Sequence, residues 1–217
     1  MPVAILDYGM GNLRSVARAI EHVGGSVVVT GDPAQALAAD GLVVPGVGHF
    51  GACMANLRER GLDAVVKEYA ASDRAVFGVC VGMQVLFEES EEHGRHRGLG
   101  LLAGRVRRLA TGLPVPHMGW NRLRWPRPHP LMAGIEQGSH VYFVHSYFCD
   151  AAPEAVVATT DYGRDFAAVV ARENVLGVQF HPEKSQAAGL RLIDNFVRLA
   201  ASGASARPAA PAARGNA

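Results

Sequence analysis

Gly78-Val79-Cys80-Val81-Gly82 sets a cysteine between two glycines, directly after the apolar run Ala75 to Val79. A nucleophile on a sharp strand-to-helix turn brings neighbouring backbone close, so its flanks must be small, and the helix N-terminus that follows favours a thiolate. A second apolar run, Gly177-Val178-Gln179-Phe180, ends in His181-Pro182-Glu183. Alternation along an extended chain directs the histidine and the carboxylate to one side. An imidazole so placed can take a thiol proton and return it to a leaving amine, while the carboxylate fixes its tautomer. Cys80, His181 and Glu183 therefore compose a triad for acyl transfer. Alone, Cys80 reads equally well as a buried structural thiol and His181 as a hydrogen-bonded surface ring. Their presence in one chain favours the chemistry.

A third element is Pro45-Gly46-Val47-Gly48, at the end of another apolar run. The backbone amide of Val47, with that of Val81, is the candidate oxyanion hole for a tetrahedral intermediate. No Lys-Ser or Lys-Thr follows the loop, which excludes a Walker-type phosphate loop, and Tyr8-Gly9-Met10-Gly11-Asn12 lacks the third glycine of a dinucleotide fingerprint, which leaves that alternative weak. His93-Gly94-Arg95-His96 has no second ligand pair at metal-site spacing and reads as a solvated loop. No metal or cofactor is expected. Cys53 and Cys149 have no comparable turn or base nearby and are expected to be inert.

Strands and helices must position these groups. Val3 to Leu6, Val27 to Val29, Leu42 to Val44 and Ala75 to Val79 are short apolar runs. Between them lie helical segments: one carrying Leu13, Val16, Ile20 and Val23 at helical spacing, one opening at Asp32-Pro33, and one over 52 to 70. A further helix runs from Cys80 through Phe87. This alternation predicts an α/β fold with a mostly parallel sheet covered on both faces, and ligands of such sheets bind beyond the carboxyl ends of the strands. Glu88 to Glu92 reads as a charged turn. Strands then dominate, over 101–109, 119–125, 140–148, 155–160, 166–171 and 175–180, before a closing helix with Leu190, Ile193, Phe196 and Val197 on one face. The arginines of 105–108 and 122–127 alternate along strands and read as solvated faces. One domain over 1–199 is expected, with an Ala/Pro/Arg tail over 200–217 too poor in large apolar residues to order.

The 217 residues are 49% hydrophobic and carry 21 basic against 20 acidic groups, a net charge of +1. That balance excludes a dedicated nucleic-acid binder, whose basic surplus would be evident. No apolar run reaches the ~18 residues of a membrane span. Three widely spaced cysteines suit a reducing compartment, and a cytoplasmic location is expected.

Gly78-x-Cys80-x-Gly82-x-Gln84 and Phe180-His181-Pro182-Glu183 together resemble the class I, triad-type glutamine amidotransferases, a flavodoxin-like fold. More narrowly, Asp7 to Leu13, Pro45 to Gly48, Pro116-His117-Met118-Gly119-Trp120-Asn121, Phe143 to Tyr147 and His181 to Ser185 are similar to the glutaminase subunits of imidazole glycerol phosphate synthases, over about residues 2–199. The resemblance implies that Cys80 is the nucleophile, His181 the acid/base and Glu183 the orienting carboxylate. It implies glutamine binding by Gly48, Gln84, Ser146 and Tyr147, and an oxyanion loop that reorients a peptide group. It also implies a (β/α)₈ cyclase partner that receives ammonia through a channel and joins it to a nucleotide, with Asn12, Met118, Trp120, Asn121 and Lys184 at the interface. Core packing is the competing reading for Trp120. Glutaminase subunits of anthranilate or pyridoxal phosphate synthases, plain hydrolases of the same fold, and a non-catalytic interaction module are the alternatives.

Overall fold

Strands covered on both faces read as unbroken apolar runs, and such runs form the centre of this molecule. The computed structural model describes residues 2–203. Its first half comprises β1 (Val3–Leu6), α1 (Leu13–His22), β2 (Val27–Thr30), α2 (Pro33–Leu37), β3 (Gly41–Val44), α3 (Phe50–Glu59), α4 (Leu62–Ala71), β4 (Ala75–Val79) and α5 (Val81–Gln84). Then follow β5 (Phe87–Ser90), β6 (His96–Arg97), β7 (Leu102–Arg108), β8 (His117–Arg122), β9 (His140–His145), β10 (Tyr147–Ala151), β11 (Val156–Asp161), β12 (Asp165–Arg172), β13 (Val175–Val178), a 3-10 turn Pro182–Lys184, and α6 (Gln186–Ser202).

The main sheet has the order β11-β12-β13-β4-β3-β1-β2. From β13 to β2 it is parallel, while β12 and β11 add on antiparallel. The chain moves one way along this order from β1 to β2 and the other way from β2 to β3 and β4, and right-handed crossovers then put the connecting helices on opposite faces. Thus α1 packs with α6 on one side, and α2 packs with α4 and α4 with α3 on the other. Phe196 of α6 stacks on Phe77 of β4 with ring centroids 4.8 Å apart, which locks the closing helix over the middle of the sheet. A second sheet, β10-β7-β5-β6, and the hairpin β8-β9 make up the strand-rich half.

Several elements differ from expectation. The helix after Cys80 ends at Gln84, and the stretch Glu88 to Glu92 is only in part a turn, with Glu88 to Ser90 inside the strand Phe87–Ser90 and a turn at Glu92. Its acids serve as acceptors for backbone amides: Glu88 takes one from Gly104 (3.0 Å), Glu91 from Arg108 (2.8 Å) and Glu92 from Phe50 (2.7 Å). Side-chain charge there is used structurally. The helix over 52 to 70 is two helices, separated at Gly61, whose φ of +66° ends one and starts the next. The strand expected at 119–125 is shifted to His117–Arg122, and that expected at 140–148 is split between β9 and β10. Of the expected tail, Ala200 to Ser202 complete α6, with Ala200 buried, and 204–217 lie outside the described residues. Among the described residues no helix is long and apolar enough to cross a membrane.

Candidate active site

The two catalytic motifs lie about a hundred positions apart, yet β4 and β13 are parallel neighbours whose carboxyl ends coincide. Val79 pairs with Val178, and the Cys80 amide donates to the Val178 carbonyl at 2.8 Å. Cys80 itself sits at φ 57° and ψ −115°, a strained conformation for a non-glycine residue that presents the side chain on the turn into α5. The His181 amide is tied to the Tyr142 carbonyl of β9 at 3.0 Å, so a third element fixes where the chain leaves β13.

The His181 ring is acted on by the Cys80 side chain on one side, and on the other its Nδ1 lies 2.9 Å from Glu183 Oε1. The carboxylate side chain is 1% exposed and its Oε2 has no hydrogen-bond partner among the described residues. Burial opposes charge on the His181 ring. The Cys80 and Glu183 side chains, with their negative charge, outweigh that, and its pKa is raised to about 10. The arrangement can pass a proton between sulfur and a leaving group, with the ring held in one orientation.

The Pro45–Gly48 loop lies directly across the start of α5. A Cβ on Gly46 would stand 2.3 Å from the Gly82 nitrogen, and one on Gly82 would stand 1.8 Å from the Val44 oxygen. The first amides of α5 therefore face this loop, ahead of the first intrahelical bond, from Met83 N–H to the Cys80 carbonyl. Two buried side chains grip the loop from below: the Tyr8 hydroxyl donates to the Pro45 carbonyl, and the Cys53 thiol donates to the Val47 carbonyl at 3.4 Å. The Gly46–Val47 peptide is thus bracketed by two anchored carbonyls. Burial raises both groups, Cys53 to about 11 and Tyr8 well above a phenol's ordinary range. Buried and bonded to Val47, Cys53 has a structural task that its sequence context did not disclose. Cys149 is fully buried and its thiol is likewise pushed up by burial.

Gln84 lies under the nucleophile and its side-chain nitrogen donates to the Tyr147 carbonyl and to Gln179 Oε1, each at 3.1 Å. Gln179 in turn points its nitrogen at Cys80 Sγ, 4.0 Å away. Ser146 and Tyr147 are half-buried at the junction of β9 and β10, and Gly48 is exposed at the loop tip with φ +82°. Met118 and Trp120 are exposed on one face of β8, at 67% and 47%. Trp120 is paired across the hairpin with Tyr142, ring centroids 6.0 Å apart, and the Lys184 ammonium stands 5.9 Å over the Tyr142 ring. Asn12 is half-buried ahead of α1. Asn121 departs from the group, because strand alternation turns it to the inner face, where its amide donates to the Asp161 carbonyl at 2.7 Å and meets His117 Nε2 at 3.3 Å. Sequence reasoning missed Tyr8, Gln179, His117 and His145 as parts of this site. Two histidines aligned with alternating apolar residues in β8 and β9 were the available signal for the last two. Cavities of about 460 and 320 Å³ occur along the Trp125–Pro130 loop, lined by none of the candidate residues, and no cluster of metal-ligating side chains occurs among the described residues.

Comparison with known proteins agrees with this geometry. Residues 4–200 match the family described as glutamine amidotransferase class-I. The chain is 54% identical over 208 residues to the "Imidazole glycerol phosphate synthase subunit HisH" of Methylococcus capsulatus, covering 90% of this chain and 95% of that one. It is 51% identical over 199 residues to the protein of the same name from Moorella thermoacetica, covering 91% and 95%. Among solved structures, a "glutamine amidotransferase" superposes with a TM-score of 0.74 at 24% identity, over 93% of this chain and all of that one, which shows the shared fold.

Proposed function

The chain belongs to the class-I glutamine amidotransferase family, and from that premise we propose that it is the glutaminase subunit of an imidazole glycerol phosphate synthase, working in the cytoplasm. It hydrolyses glutamine to glutamate and ammonia. The ammonia passes to a (β/α)₈ cyclase subunit, HisF, which forms imidazole glycerol phosphate and an aminoimidazole carboxamide ribonucleotide in histidine biosynthesis.

The residues divide the reaction between them. Cys80 Sγ attacks the side-chain carboxamide carbon of glutamine, forming a C–S bond as the carbonyl electrons move to oxygen. The amides of Val47 and Val81 receive that oxyanion. His181, a ring that holds its proton firmly between Cys80 and Glu183, protonates the departing nitrogen as the C–N bond breaks. Ammonia leaves and a thioester remains. Water then gives a proton to His181 and adds to the thioester, the C–S bond breaks, glutamate leaves, and the Cys80 thiolate is restored beside the protonated His181. Gly48, Gln84, Ser146 and Tyr147 line the glutamine site, and Met118, Trp120 and Lys184, with Asn12, meet the cyclase, while Asn121 stays inside the hairpin on Asp161 and His117.

The observation that carries this reading is the His181–Glu183 bond of 2.9 Å behind Cys80, in a chain about half identical to proteins named as that subunit. Its test is to purify the chain with the cyclase subunit of the same genome and measure glutamate release with and without the nucleotide acceptor. Acceptor-stimulated glutamate release supports it, and a complex that releases none overturns it.

A further inference from the structure

One feature of the site is a continuous hydrogen-bond chain whose direction is fixed at both ends by the backbone. His117 and His145 are direct cross-strand partners in the β8-β9 hairpin, and His117 Nδ1 lies 3.0 Å from His145 Nε2. His145 Nδ1 lies 2.8 Å from the Tyr147 carbonyl, which can only accept, so that nitrogen carries the proton and Nε2 is an acceptor. His117 Nδ1 must then donate, leaving its Nε2 to accept from Asn121. The Asn121 amide is itself oriented independently, its oxygen accepting from the Arg122 amide at 2.8 Å and its nitrogen donating to the Asp161 carbonyl. Every link agrees with its neighbours.

The Tyr147 carbonyl also accepts from Gln84, and the line continues through Gln179 to the Cys80 sulfur. Both histidines are buried, at 3% and 6% exposure, and are packed among Phe143, Phe166 and Tyr162. Resting on the glutaminase reading, we propose that His117 and His145 are positioning residues: they hold the Tyr147 carbonyl, and through it the Gln84 and Gln179 amides beneath Cys80. The hairpin that exposes Met118 and Trp120 on its other face and the nucleophile thereby share one hydrogen-bonded frame. Neither ring takes a proton in the reaction. Burial lowers His117 to about 4 and His145 to about 3, which keeps both neutral as a directed chain requires.

The test uses the full chain in complex with its cyclase subunit and a diazoketone analogue of glutamine that alkylates the nucleophile. His117→Phe keeps a stacked ring without a donor, whereas His117→Asn keeps an amide donor near the place of Nδ1. The alkylation rate of Cys80, and kcat for glutamine, should fall at least fivefold further in His117→Phe than in His117→Asn. A smaller difference overturns the proposal. Should His117→Phe fail to fold, ¹⁵N-histidine NMR of the wild-type complex decides. Both rings should be neutral Nδ1–H tautomers, and the His117 signals should move on alkylation of Cys80. An Nε2–H tautomer at either ring, or unmoved signals, overturns it. Wild-type Cys80 that resists the analogue instead sinks the glutaminase reading itself.

Discussion

Gly78 of β4 and Gly177 of β13 are cross-strand partners, and both face Met83 of α5. A Cβ on Gly78 would stand 2.6 Å from the Met83 Cα, and one on Gly177 would stand 2.8 Å from the Met83 Cγ. The pair forms a notch in the sheet surface, and α5 sits in it closely enough for the turn at Cys80 to close. The same two strands bring the nucleophile to its base, so the register that creates the notch also assembles the triad.

Alanine at these two positions should therefore have unequal effects. Gly78→Ala meets backbone and should cost about 1 to 3 kcal/mol of stability and much of the turnover. Gly177→Ala meets side-chain atoms, the Cγ and Cβ of Met83 and a methyl of Val170, rather than backbone, and should be milder. Thermal unfolding and glutamine turnover of both variants test this, and equal losses would contradict the register.

Cys80→Ala should reduce glutamine hydrolysis by on the order of 10⁶-fold, as loss of a triad nucleophile does. Ammonia-dependent synthesis by the cyclase should persist, because the thiol serves only acyl transfer. A glutamine analogue should label Cys80 alone, since burial raises the thiols of Cys53 and Cys149. Mass spectrometry of the labelled chain would reveal any other site.

His181→Ala should be more damaging than Glu183→Gln, since one removes the proton carrier and the other its support. The glutamine variant should still lose up to about 10⁴-fold, the scale seen when a triad imidazole is held in the wrong tautomer. Turnover of the two variants measured in parallel decides the order.

Gly46→Ala should lower basal and acceptor-stimulated turnover together. A Cβ there would stand 2.3 Å from the Gly82 nitrogen and 2.8 Å from the Val81 carbonyl carbon, so the substitution pushes the loop off the start of α5 and separates the two oxyanion donors. Loss of one oxyanion donor is worth about 10² to 10³ in turnover. Turnover measured with and without the acceptor checks this, and an unchanged basal rate would mean that the loop does not serve the oxyanion.

Stability should fall on both sides of a maximum near the ordinary histidine pKa of 6.5. Above it, His181 keeps its proton up to about 10 while the unfolded chain gives its own up, so stability declines as pH rises through that window. Below it, the unfolded chain gains protons that His117 and His145 refuse down to about 4 and 3, so stability declines again as pH falls. Urea midpoints across pH 4 to 10 check the shape, and Glu183→Gln should flatten the alkaline limb.

Much of the site was legible in the chain. The glycines around Cys80 and the ending of the run at His181 are local requirements of a tight turn and of strand alternation, and both survive without knowledge of partners. The apolar runs of β1, β3 and β4 likewise announce a buried parallel sheet, because strands covered on both faces can be uninterrupted in that way, whereas β13 joins the same parallel sheet only in the structure. By contrast, the acids from Glu88 to Glu92 have the composition of a turn, and only the amides of Gly104, Arg108 and Phe50, brought in from elsewhere, give Glu88, Glu91 and Glu92 their acceptor roles in and just beyond β5. Asn121 lies one position from Trp120 and yet faces the other way, since the pleat of β8 decides its side.

Residue types and their spacing are enough to name the groups that could carry the chemistry and to expect a parallel sheet beneath them. How they meet comes from long-range packing: β13 beside β4 rather than at the sheet edge, Tyr8 and Cys53 beneath the Pro45–Gly48 loop, and His117 opposite His145. A turn or a period is encoded by neighbours a few residues apart, whereas a hydrogen bond across a hundred residues is selected by the packing of the whole chain and leaves no local periodicity to read.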